Sequence, residues 1–91
     1  MGQVPKKASE LNSDQIRAGR ALLRWSAGDL ARHSSVSLRT IRRAELADVG
    51  TTLTAANTLA IRNALEAAGV EFIDENGGGA GVRLRKSKKR M

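Results

Sequence analysis

The chain has 91 residues, a formal net charge of +7, no cysteine, and two aromatic residues, Trp25 and Phe72. That length describes one small domain with tails, burying roughly 60–65% of its unfolded surface. Missing cysteine excludes disulfide and thiolate chemistry and fits a cytoplasmic setting; no apolar run approaches the roughly 18 residues of a membrane span, and none follows Lys6 and Lys7 as a signal peptide requires.

Residues 1–11 are polar and read as a disordered arm. A first helix is expected from near Ser13, with Asp14 and Gln15 in its first turn, to about Trp25. Its apolar residues are Ile16, Leu22, Leu23 and Trp25; Gly19 inside it costs about 1 kcal/mol relative to alanine. Ser26 caps a second, short helix, with Asp29 three residues on completing a shortened capping box. Leu30 and Ala31 give that helix a small apolar face. Ser34 and Ser35 interrupt the pattern, with Val36 the lone apolar residue in the break. Ser37 caps a third helix, residues 38 to about 46, whose Ile41 and Ala44 face inward while Arg39, Arg42 and Arg43 point out.

The segment 47–52 is a connection, after which Thr52 or Thr54 caps a long helix ending at Ala68, with Gly69 as its stop. Ile61, Ala64, Leu65 and Ala68 form one stripe, while Ala56 and Leu59 lie well around from it; a helix apolar on more than one face calls for cover beyond the first three helices. The hydrophobic period then changes to two, and the glycine-rich 76–81 separates segments 70–74 and 82–85, which read as a β-hairpin. Val70, Phe72, Val82 and Leu84 would share one face, and Glu71 would pair across to Arg83 or Arg85. A lone hairpin is marginal in water, so it must pack on the helices or on a second copy. Residues 87–91 form a basic tail. The organisation expected is therefore an arm (1–11), a helical domain (12–69), a hairpin serving as dimerisation element (70–86) and the tail.

Charge is distributed unevenly along this plan. Residues 14–43 hold seven arginines against Asp14 and Asp29; residues 44–81 hold six acids against Arg62; residues 82–91 hold six cations and no acid. A polyanion would be steered to one side. Two short helices joined by a tight turn, the second lined with cations, form the arrangement that sets one helix in the major groove of double-stranded DNA. A guanidinium can donate two bonds to the O6 and N7 of guanine. Leu38 offers apolar contact to a thymine methyl, and Ser37 and Thr40 carry hydroxyls suited to phosphate or a nearby base. The candidate DNA-binding residues are thus Ser37, Leu38, Arg39, Thr40, Arg42 and Arg43.

Other chemistries have little to stand on. The segment 77–81 is not a phosphate loop, because Val82-Arg83 follows where Lys-Ser/Thr would be needed. His33 is the sole histidine, without a ligand cluster, so no metal or other cofactor is expected. No nucleophile–base pair supports an enzyme, and two aromatics are too few to stack single-stranded RNA.

The segments I-R-A-G-R-A-L-L-R-W-S (16–26), D-L-A (29–31) and V-S-L-R-T-I-R-R (36–43), then Glu45, resemble the Cro/phage-repressor, or XRE-type, helix-turn-helix transcriptional regulators. Residues 64–86 are similar to small bacterial, single-domain regulators of this kind, so the resemblance covers roughly four-fifths of the chain. It implies a mainly α fold: a compact four- or five-helix repressor-like domain, here with a C-terminal hairpin. It also implies a homodimer on a palindromic operator. By position, Ser37, Leu38, Arg39 and Arg43 match base- and backbone-facing sites, Arg42 matches a site that more often meets phosphate, and Leu30, Ala31, Val36 and Ile41 match internal packing sites. Three departures stand out: Ala27 where the family usually has a DNA-contacting Gln, Ser35 where the turn usually has Gly, and Glu45-Leu46-Ala47 where Glu-x-Gly is usual. Backbone N–H groups at the second helix start remain able to meet a phosphate. A different class of function stays open: a protein-binding antiactivator or antitoxin module, docking a partner through the acidic half and hairpin.

Overall fold

A computed structural model describes residues 11–46, 53–74 and 76–85. The arm expected at the N-terminus, apart from Leu11, the connection 47–52 and the basic tail lie outside the described residues. Within them the chain is mainly helical: α1 (Ser13–Leu23), α2 (Ala27–Ser34), α3 (Leu38–Leu46), α4 (Ala55–Ala67), then strands β1 (Val70–Ile73) and β2 (Gly81–Leu84).

Each helix begins where a short polar side chain can take an orphan N–H. Asn12, one residue ahead of the expected start, caps α1 by accepting from the Gln15 N–H at 2.7 Å; the Gln15 side chain accepts in return from the Asn12 N–H at 3.2 Å. Ser26 and Asp29 form the same reciprocal box at α2, at 3.0 and 2.9 Å. The Ser37 hydroxyl accepts from the Thr40 N–H at 3.1 Å, and Thr54 accepts from the Asn57 N–H at 3.0 Å. Helix ends are set differently. Helix α1 stops at Leu23 because Arg24 turns left-handed (φ 59°), and α2 stops because Ser35 does (φ 63°).

The core is a single cluster: Ile16 from α1, Leu30 from α2, Val36 from the turn, Ile41 and Ala44 from α3, Ile61 and Leu65 from α4, Val70 and Phe72 from β1. Helix α1 lies close to α4 and β1 at Gly19, where a β-carbon would meet Leu65 Cδ1 at 3.3 Å. The glycine costs helix propensity, but it allows this approach. The hairpin is antiparallel, with Val70 opposite Leu84, Glu71 opposite Arg83 and Phe72 opposite Val82. Glu71 and Arg83 join through two hydrogen bonds, at 3.1 and 3.2 Å. The hairpin face carrying Val70 and Phe72 completes the helical core; Leu84, at the end of that face, stays exposed. Cover for α4 is therefore partial: the hairpin and the other helices bury Ile61 and Leu65, while Ala56 and Leu59 remain exposed. No described helix is long and apolar enough to cross a membrane.

Candidate nucleic-acid interface

Residues 35–37 join α2 to α3, and the turn is held from inside. Ser34 closes α2 as a buried residue, and its hydroxyl accepts from the Val36 N–H at 3.2 Å. Val36 then drops into the core beside Leu30 and Ile41. These three side chains fix how α3 sits on α2.

Ile41, Ala44 and Glu45 form the buried side of α3. Arg39 and Arg43, one turn apart, occupy the opposite side and are exposed. Arg42, also exposed, lies on the flank next to Glu45. Leu38 and Thr40 are half-buried at the margins, and Ser37 is exposed with its hydroxyl donating to Thr40 Oγ1 at 2.9 Å. All six sequence-identified residues thus fall on one short helix and its cap. Leu46, 82% exposed, adds an apolar side chain near Arg39 and Arg43. The helical period sets Leu46 at the end of α3 but does not reveal its exposure.

The arginines divide sharply by partner. Arg17 pairs with Asp14, Arg20 with Glu45, Arg32 with Asp29, Arg62 with Glu66 and Arg83 with Glu71. Arg85 donates to the Glu66 carbonyl at 3.0 Å. Arg39, Arg42, Arg43 and Arg24 have no such partner among the described residues. An exposed cation with no internal partner keeps its full charge and donors for a ligand.

What holds α3 was not evident in the sequence. The Arg20 guanidinium grips the Glu45 carboxylate through Nε at 2.7 Å and Nη2 at 2.8 Å, and its Nη1 donates to the Trp25 carbonyl at 2.8 Å. Glu45 is buried, and its hydrogen bonds hold the Arg20 guanidinium above its ordinary pKa. Arg17 donates to the Glu45 carbonyl, and Ser13 donates to the Ala44 carbonyl at 2.6 Å. Helix α1 therefore clamps the last turn of α3 by side chain and backbone together. At α2, the Trp25 and His33 rings stack at 4.3 Å with 9° between planes, so His33 covers the indole. No group of three or more metal-ligating side chains occurs among the described residues.

No protein-family model matches the chain, and no curated protein matches it in sequence.

Proposed function

We infer that the chain is a sequence-specific DNA-binding transcriptional regulator of the Cro/phage-repressor-like helix-turn-helix kind. In this reading a homodimer binds a palindromic operator in double-stranded DNA, with α3 in the major groove of each half-site. The observation that carries it is the partition of arginines. Five described arginines are each paired with an acid of the chain, while the three on α3 are exposed and have no such partner among the described residues, on a helix clamped at both ends. A rigid helix with two guanidinium groups one turn apart suits bidentate bonding to guanine edges, and Arg42 on the flank suits phosphate. Leu38 and Leu46 offer apolar contact to thymine methyls.

The partner-docking alternative draws less from the structure. Of the acids in 44–81, Glu45 is buried against Arg20, and Glu66 and Glu71 are neutralised by Arg62 and Arg83. Asp74 is exposed with no ion pair among the described residues, and Asp48 and Glu75 lie outside them.

Selection from a random duplex pool at about 0.15 M salt tests the proposal. A two-fold symmetric motif with half-sites about one helical turn apart is the expected result. Failure to enrich any motif, with binding that merely fades as salt rises, would reduce the interaction to charge attraction and reject sequence-specific recognition.

A further inference from the structure

Outside α3, one described arginine is exposed and has no side-chain partner among the described residues: Arg24. Its backbone is left-handed, φ 59° and ψ 37°, with its N–H donating to the Ala21 carbonyl at 3.1 Å and the next N–H, of Trp25, to the Arg20 carbonyl at 3.0 Å. That is the position of a helix end where glycine or asparagine is usual, because a β-carbon is strained there. The left-handed conformation thus gives no reason for an arginine over glycine.

Its placement supplies one. The Arg20 guanidinium joins the Trp25 carbonyl to the Glu45 carboxylate, at 2.8 Å and at 2.7 and 2.8 Å. The residue after Arg24 is thereby tied to the last turn of α3. Arg42 precedes Glu45 by three residues and so lies on that same flank of α3. Arg24 adjoins the residue tied to this ion pair, Arg42 sits one turn before its acid, and the Glu45 charge is taken by Arg20. Both are carried by rigid backbone, Arg24 by the helix-end hydrogen bonds and Arg42 by α3.

We propose that Arg24, which lies outside the helix-turn-helix segment, binds the DNA phosphate backbone beside Arg42, fixing how α3 is set against the groove without reading sequence. The inference rests on the DNA-binding reading above. A structural role also has a physical basis, since a cation at a helix C-terminus complements the helix dipole; the test therefore separates stability from salt response.

Fluorescence anisotropy of the full chain on a labelled random-sequence duplex and on a selected operator duplex, from about 0.05 to 0.25 M salt, gives the test. Arg24→Gly suits the left-handed backbone and should melt no lower than the natural chain. It should weaken both duplexes by the same factor and reduce the magnitude of the log–log salt slope by about 0.9, the value of one phosphate contact. Arg24→Lys should keep the slope. An unchanged slope in Arg24→Gly, or a loss confined to the operator, would overturn the proposal. The two readings fail separately. If the natural chain binds duplex without site preference, sequence-specific recognition falls, while the slope on random duplex still decides Arg24. Absence of any duplex binding at low salt would overturn both.

Discussion

Arg39 and Arg43 lie on the same side of α3, opposite Ile41, and neither guanidinium has an acidic partner among the described residues. Replacing either by alanine removes no buried contact, so the melting temperature should hold. On the proposed DNA-binding reading, operator preference over random sequence should fall by about 1–3 kcal/mol, the value of one bidentate base contact. Competition binding against random duplex checks this, and retained discrimination would exclude that arginine from base reading. Glu45 has the opposite character. It is buried, it accepts two bonds from Arg20, and its removal leaves that guanidinium without its acid. Glu45→Ala should cost about 2–4 kcal/mol in denaturant unfolding. A well-packed apolar pair at Arg20 and Glu45 should recover much of that loss, because replacing both partners strands no charge. A double-mutant cycle measures the coupling directly.

At the scale of the elements, the caps are local chemistry. At α2, Asp29 accepts from the Ser26 N–H and from Arg32, and these bonds hold its carboxyl below the ordinary carboxylate range. A depressed folded-state pKa stabilises the fold at neutral pH; that contribution fades as pH falls through the folded value and the acid protonates. Asp29→Asn should therefore flatten the acid side of a melting-temperature profile below the ordinary aspartate pKa, with the difference from the natural chain greatest at neutral pH. Such features were legible in the sequence because hydroxyl and carboxyl three residues apart define a box on their own, as Ser26 and Asp29 do. The inward Ile41 and outward arginines of α3 follow as directly from the helical period, and the shared face of the hairpin from the alternation of 70–73 and 82–84. That alternation leaves Glu71 opposite either Arg83 or Arg85; the register sets it opposite Arg83. The Arg20–Glu45 clamp was not legible: its members are 25 residues apart and join only once α1 crosses the end of α3. Nor was the end of α1, since arginine is not a residue that signals a left-handed turn. Leu59 shows a third limit. The period marks a second apolar face on α4, but it does not reveal that Leu59 stays exposed.

For the molecule as a whole, the decisive point is that the hairpin and the helices share one core. Val70 is fully buried among the side chains that also bury Ile16, Leu30 and Ile41. Phe72 is capped by the Arg62 guanidinium 5.0 Å from its ring centre. The candidate interface lies at the α2–α3 end of this core, and β1 closes it from the α1–α4 side. Loss of β1 packing should therefore loosen α3 although no hairpin residue belongs to the interface. Truncating a buried phenylalanine to alanine costs about 3–5 kcal/mol. A chain this short sits near the low end of the usual 5–15 kcal/mol of stability. Phe72→Ala should then leave a large unfolded population at 25 °C. Trp25 is the single tryptophan and belongs to the α2 end, stacked on His33, so its fluorescence follows the far side of the core. In denaturant titrations of this variant, tryptophan fluorescence and far-ultraviolet circular dichroism should move together to a lower midpoint. Coincident curves mean one cooperative unit. A tryptophan transition that kept its original midpoint while helicity and strand signal fell would mean that the α2–α3 end stands without the hairpin, and the shared core would carry less of the fold than its packing indicates.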